Sequence, residues 1–331
     1  MFRTPANDDG SFARFARIVV EPPQSARALR YRGDDRAVPL SAMTERDRTG
    51  VVSLYAILGE LDAALRASEI DTPEVASAIA DGFDVDSALA FARALGTDGN
   101  LAPDVRQTIH DVRGGALTSL LLEIQRARRR KATGGLRALR ILTSDHLKVM
   151  RNAVLELDDV RRTADLRPTP HAIDRLHDTL LRVTGDGPKG LVEVDVRCSF
   201  TGIITMSCVE LGALDRASLN LVNNAVRHAT SGRVEIALLP AGNGDLRICV
   251  ANRIDAAHAS VLRERFGDSL DRMFLETFST SGSGEGTKIC LDFVSAAYGI
   301  VRREEVVASQ VVGAFVEDGW FVAWMHWPAV A

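Results

Sequence analysis

The sequence predicts an α+β protein: a helical N-terminal region, a long antiparallel helical hairpin, and a C-terminal two-layer α/β sandwich. Three observations carry that expectation. Apolar residues recur at helical spacing from about Thr44 to Asp165. The tract RPTP at 167–170 then stops the pattern, because proline disfavours helix at and before itself. Beyond it, short strand-like runs and helical stretches are mixed to the last residue, as in a sheet covered by helices.

The 331 residues are 46% hydrophobic and 25% charged, an ordinary globular composition, and the length suggests two or three domains. A net charge of -4 gives no basic field for nucleic acid or an anionic membrane surface. The longest apolar runs fall well short of the ~18 residues needed to span a bilayer, and the N-terminus has no signal-peptide pattern. Neither a nucleic-acid partner nor membrane insertion is expected. Cys198, Cys208, Cys249 and Cys290 lack CxxC spacing, so they read as small buried apolar residues in a reducing cytoplasm.

Residues 1–43, rich in Arg, Asp and Pro, read as a flexible arm with one strand-like run, Arg17–Glu21. Residues 44–100 read as a small helical region. Leu54, Leu58, Leu61 and Leu65 share one helix face, Thr72–Pro73 is an N-cap followed by proline at the first helical position, and a helix at about 87–95 is closed by Gly96. Residues 101–167 read as the hairpin. Its first helix opens at Pro103 and runs to about Lys131, with Val105, Ile109, Val112, Leu117, Leu121 and Ile124 as its stripe. ATGG at 132–135 breaks it, and the second helix runs to about Asp165 with Leu139, Leu142, Val149, Met150, Leu157 and Val160. One hairpin cannot bury both stripes, so pairing with a second copy into a four-helix bundle, a homodimer, is expected.

Residues 171–331 read as the sandwich. The order expected is a helix (171–183), strands Val192–Val196 and Gly202–Cys208, a helix (214–230), strands Arg233–Leu239 and Leu246–Ala251, and a polar helical stretch (256–273). A glycine-rich loop, a helix (287–298) and two strands, Val301–Val307 and Trp320–Trp327, complete it.

Two constellations carry chemistry. In LNLVNNAVRHA, 219–229, Asn220 and Asn224 are four apart and share one helix face. Taken alone, such a pair is equally compatible with buried amides satisfied by backbone. In STSGSGEGTKI, 279–289, Gly282, Gly284 and Gly286 alternate just before a helix. Their amides, with the free N–H groups of that helix, suit an anion such as phosphate. Carboxamide oxygens are hard neutral ligands that suit Mg²⁺ shared with substrate phosphates, so the two features together make a Mg–nucleotide site. Arg227, three residues past Asn224, is placed to reach a phosphate.

These segments resemble the ATP-binding domain of sensor histidine kinases. NLVNNAVRH (220–228) matches the N box of that family along its length, and GSGEGTKI (282–289) matches its second glycine box except for Thr287. FLETFSTSGSG resembles the F box, with Phe274 and Phe278 as lid anchors. The resemblance implies ATP and Mg²⁺ as ligands. It makes Asn220 and Asn224 the metal-holding amides, and it makes Arg227, Gly282, Gly284, Gly286 and Thr287 nucleotide contacts. Where the family carries the first glycine box, with an Asp for the adenine amino group, this chain reads VANRIDAAH (250–258): Asn252 stands at the Asp position and the glycines are absent. Related hydrolases place Glu where Asn220 stands; Asn cannot act as a base, which implies transfer to a group other than water.

IHDVRGGAL (109–117) resembles the phosphoacceptor motif of the same family, with Gly114 and Gly115 in place of a polar residue and a proline. His110 is then the nucleophile, Asp111 orients the proton on its other ring nitrogen, and Arg113 steadies the phosphoryl group. The implied activity is a cytoplasmic histidine kinase that passes phosphate from His110 to an aspartate of a response-regulator receiver domain. Two other readings stand beside it: a phosphorelay transferase whose ATP-like domain binds no nucleotide, and a non-catalytic scaffold. His146 reads as structural and the basic run 126–131 as a solvated tip.

Overall fold

The computed structural model describes residues 12, 14–15, 18, 20–22, 37–97, 101–129, 135–183, 185–267, 269–276 and 285–329. The chain divides into two units, one made of residues 32–169 with 207–213 and the other of 1–31, 170–206 and 214–331.

The helical unit begins with β1 (Val38–Pro39) and continues through α1 (Glu45–Ala67), α2 (Pro73–Gly82), α3 (Val85–Ala94), α4 (Pro103–Arg113), α5 (Gly115–Arg128) and α6 (Gly135–Ala153). β2 (Val154–Leu155) then pairs in parallel with β1, and α7 (Asp159–Asp165) closes the unit. Helix starts follow local chemistry. The Thr44, Thr72, Asp84 and Asp158 side chains each accept a bond from the backbone N–H three residues on, satisfying one orphan donor apiece.

Two expectations are corrected here, and the hairpin is found to share a core with the helices before it. The first hairpin helix is two helices, because Gly114 adopts an extended conformation (φ -79°, ψ -157°) between α4 and α5. The second hairpin helix ends at Ala153 rather than near Asp165, and Val160 is 83% exposed. The hairpin stripes do not lack cover within the chain. Leu54, Leu58 and Leu61 of α1, Ala76 and Ala80 of α2 and Ala88 of α3 share one core with Ile109, Leu120, Ile124 and Met150.

The second unit adds β3 (His171–Ala172), α8 (Ile173–Leu180), β4 (Gly185–Gly187), β5 (Gly190–Cys198), β6 (Ile203–Thr205), α9 (Cys208–His228), β7 (Arg233–Pro240), β8 (Leu246–Arg253) and α10 (Ala256–Phe266). A 3-10 turn, Leu270–Phe274, precedes α11 (Glu285–Tyr298), α12 (Arg303–Ala308), β9 (Val312–Glu317) and β10 (Trp320–Trp327). Its main sheet has the order β4-β5-β7-β8-β10-β9, with β5 and β7 parallel and the other neighbours antiparallel. The stretch Val301–Val307, expected as a strand, is mostly α12; Glu304 and Glu305 sit in its first turn, and Arg303 pairs with buried Asp292 at 2.7 Å. The closing hairpin is β9–β10, turned at Asp318 (φ 49°) and Gly319 (φ 76°), the left-handed pair that such a tight turn demands. The expected strand Gly202–Cys208 is shorter, because Cys208 already begins α9.

β8 is buried on both faces. Along β7, β8 and β10 one alternate set of residues meets the helices; Cys290 of α11 lies 3.4 Å, sulfur to sulfur, from Met325. The other set, Ala237, Cys249, Ala251, Val322 and Trp324, forms a core with Phe15 and Ile18. Phe15 and Ile18, from the arm expected to be loose, thus lie on the sheet, and Ile18, Val20 and Glu21 are not strand residues. Arg14 pairs with buried Glu235 and stacks on Trp320, 3.6 Å from the ring centroid. Arg247 donates to Ile18 O at 2.6 Å and to Val20 O, and its Nε donates to His326 Nε2 at 2.9 Å.

Two predictions follow from this packing. Phe15→Ala removes a ring that is 2% exposed and is expected to lower unfolding free energy by about 3 kcal/mol. Urea denaturation followed by tryptophan fluorescence reads the change. Burial first, and Arg247 second, hold the His326 imidazole down to about 4. The ordinary value is about 6.5, so between those limits the unfolded chain binds the extra proton and stability falls as pH falls. Urea midpoints measured from pH 7 to pH 4 are expected to decline, and His326→Gln to flatten that decline.

Candidate active site

Asn220 and Asn224 are half-buried, one turn apart on α9, beside the fully or nearly buried Leu221, Val222, Ala225 and Val226. Their carboxamides converge on the start of α11. A Cβ built at Gly286 would lie 3.2 Å from Asn224 Nδ2 and 3.5 Å from Oδ1 of both Asn220 and Asn224. Glycine at this position keeps open the space that the two amide heads face. Arg227 is exposed on the same helix. Arg216 over the Phe293 ring, at 4.5 Å, packs α9 against α11 below the site.

Gly282, Gly284 and Phe278 lie outside the described residues. Thr287 is 7% exposed and donates from Oγ1 to Met273 O at 3.3 Å, tying the first turn of α11 to the 3-10 turn that carries fully buried Phe274. The sequence offered Thr287 as a nucleotide contact; its hydroxyl is engaged with backbone.

Asn252 is 1% exposed on β8, on the same strand face as Ile248 and Val250. Its Nδ2 donates to Arg253 O at 3.3 Å, whereas Oδ1 is buried with no hydrogen-bond partner. Leaving such an acceptor unpaired costs about 1–3 kcal/mol, so this atom is a candidate for an incoming N–H donor. Thr230 N donates to Arg253 O at 2.9 Å and brings the end of α9 alongside. Where glycines were missing from the sequence pattern, the chain turns directly into α10, capped by Asp255 on His258 N at 2.7 Å. The rings of His228 and His258 meet edge to face at 4.6 Å, linking α9 to α10. Burial, with His258 and Arg227 adding to it, lowers His228 to about 4, and burial lowers His258 against the opposing pull of Asp255. His258 carried no signal in the sequence, since nothing local marks a contact between residues 30 apart.

Among the described residues no group of three His, Cys, Asp or Glu can hold a metal ion. The oxygen donors near Gly286 are neutral amides, a set that suits a hard cation whose remaining ligands are water and phosphate.

In the helical unit His110 occupies the last turn of α4, and a Cβ at Gly114 would meet His110 O at 2.7 Å. The imidazole is 35% exposed; Nδ1 is buried without a hydrogen bond, 3.8 Å from Asp111 Oδ1. The accessible edge is therefore the one bearing Nε2. Arg113 donates to Leu95 O at 2.9 Å, at the C-terminus of α3, rather than toward the imidazole. His146 is fully buried on α6.

No family model and no curated protein matches the chain. The solved structures it is similar to include these three. One is full-length ShkA in complex with AMPPNP (23% identity, 59% of this chain and 38% of that one, TM-score 0.34). The second is the mycobacterial sensor histidine kinase MprB (17%, 49% and 99%, TM-score 0.32). The third is a blue-light activated histidine kinase of Erythrobacter litoralis (13%, 71% and 62%, TM-score 0.31). The chain spans 38% of the length of ShkA.

Gly286→Ala is expected to weaken binding of an ATP analogue by roughly tenfold, because the added methyl crowds the amides. Its melting temperature is expected to hold, since alanine favours helix. Titration calorimetry and thermal unfolding check the two halves.

Proposed function

We propose that this chain is a histidine kinase that transfers the γ-phosphoryl group of ATP to His110 and then to an aspartate on a response-regulator receiver domain. The observation that supports the reading most is the convergence of the Asn220 and Asn224 carboxamides on Gly286. The unpartnered Oδ1 of Asn252 supplies an acceptor for the adenine amino group that the missing first glycine box leaves unassigned.

In this reading Asn220 and Asn224 hold Mg²⁺, and Arg227 approaches the phosphates. Mg²⁺, when bound, neutralises charge on the phosphate oxygens. Asn220 is not a base, so water at this position is not activated. On His110 the Nε2 lone pair forms the new N–P bond as the bond from γ-phosphorus to the β–γ bridging oxygen breaks, and ADP leaves with that electron pair. Nδ1 keeps its proton, and the positive charge growing on the ring faces Asp111. Transfer to the receiver aspartate returns the imidazole to its neutral form. No described helix is long and apolar enough to cross a membrane, and a cytoplasmic location goes with the reading.

Incubation with γ-labelled ATP and Mg²⁺ tests it. Acid-labile, base-stable label is expected on the wild type, none on His110→Ala, and a loss of tenfold or more on Asn224→Ala. An unlabelled wild type that still accepts phosphate from a phosphorylated receiver domain favours the relay transferase, and no label from either donor favours the scaffold.

A further inference from the structure

We infer that the segment bearing Phe12, Arg14, Phe15, Ile18 and Glu21 is a releasable strap on the sheet, and that its docking tightens nucleotide binding at Asn252, on the opposite face of β8. The second half rests on the kinase reading; the release of the strap does not.

The strap lies on the face of the sheet and, among the described residues, adds no strand to it. Its backbone bonds run within the segment, from Phe15 N to Phe12 O at 3.1 Å and from Ile18 N to Phe15 O at 3.2 Å. The ladders β5–β7, β7–β8 and β8–β10 join sheet strands only. Lifting the strap therefore leaves every one of those ladders in place.

Four sheet residues that hold the strap also have a second partner on the sheet itself. Glu235 pairs with Arg14 and, at 3.9 Å, with Arg233. The Trp320 ring carries Arg14 at 3.6 Å and Arg253 at 4.8 Å. Arg247 donates to Ile18 O and Val20 O, and also to His326 Nε2. Asn243 donates from its backbone N to Glu21 Oε2 at 3.2 Å, while its Nδ2 donates to Asp245 Oδ2 at 2.7 Å. Release of the strap thus leaves none of these four without a partner, and the cost that fixes a segment over a buried lone charge is removed. The apolar contacts of Phe15 and Ile18 keep the released state a minor population.

One shared partner leads to the site. Arg253 follows Asn252 on β8, and its carbonyl accepts from Asn252 Nδ2 at 3.3 Å and from Thr230 N at 2.9 Å. Its guanidinium shares the Trp320 ring with Arg14 and donates to Asp318 O at 2.8 Å. Strap and Asn252 carboxamide thus act on one residue from the two faces of β8. By linkage, whatever the docked strap adds to nucleotide affinity, bound nucleotide adds to retention of the strap.

Two buried thiols make the test. Cys249 lies in the cluster with Phe15 and Ile18, and burial pushes its thiol up to about 12. Cys290 is equally buried, against Met325 on the helix side of the sheet. The full-length native chain is treated with a maleimide, and peptide mapping reads the labelling rate at each thiol. Cys249 is expected to react faster than Cys290, and Arg14→Glu to accelerate Cys249 alone by roughly tenfold. The same variant is expected to bind a non-hydrolysable ATP analogue roughly fivefold more weakly, and saturating analogue to slow Cys249 labelling in the wild type. Equal rates at the two thiols of the wild type overturn the strap, because only global unfolding then exposes them. Faster Cys249 labelling in Arg14→Glu with unchanged analogue affinity overturns the coupling. If the wild type binds no analogue, the kinase reading fails and the coupling with it, and the thiol rates still decide whether the strap is releasable.

Discussion

A strand buried on both faces must be covered twice, and β8 is such a strand. Ile248, Val250 and Asn252 point to one side; Arg247, Cys249 and Ala251 point to the other. Helices supply one cover and the N-terminal segment the other. That double cover fixes β8 between β7 and β10 in a single register, and a one-residue slip would send Asn252 to the opposite face. The position of the Asn252 carboxamide therefore depends on residues such as Phe15 and Ile18 that are far from it in sequence.

Several buried polar groups of the scaffold are held by specific partners. Asp245 is completely buried and accepts from Asn243 Nδ2 at 2.7 Å and Tyr298 OH at 2.9 Å, with Ala329 N at 3.4 Å. Burial and the adjacent carboxylate together raise the Tyr298 phenol far above its ordinary range, so it stays a donor. The same solution recurs at Arg151, which Asp165 and Tyr55 satisfy at 2.8 and 3.2 Å. Asn252 Oδ1 and His110 Nδ1 lack such partners. Thr143 Oγ1, Thr205 Oγ1 and Trp327 Nε1, outside the motifs, are likewise buried without a hydrogen bond.

What was legible in the sequence was short in range. The four-residue spacing of Asn220 and Asn224 suffices to place both on one helix face, and the Thr72–Pro73 start needs only its neighbours. The break at Gly114 was missed because the apolar stripe continues on both sides of Gly114 and Gly115, and glycine in a helical pattern is tolerated. Val301–Val307 misled because its three valines favour a strand while Glu304 and Glu305 favour a helix start. β9 was missed because Gly313 weakens the strand pattern; it is there because the Trp324 indole lies where its Cβ would be, 2.1 Å from Cζ2. An apolar stripe announces that it needs cover, but its own residues do not say whether α1 or another molecule provides it.

The segment around Phe15 and Ile18 has a further consequence for biogenesis. It precedes every strand of that sheet in the chain, yet the surface it docks on includes Val322 and Trp324 of the sheet's last strand. The sheet's second cover is thus a contact of very long sequence separation, which folds slowly and late. Until that contact forms, the outer face of β7 and β8 is an apolar surface without its cover, the kind of exposure that chaperones shield.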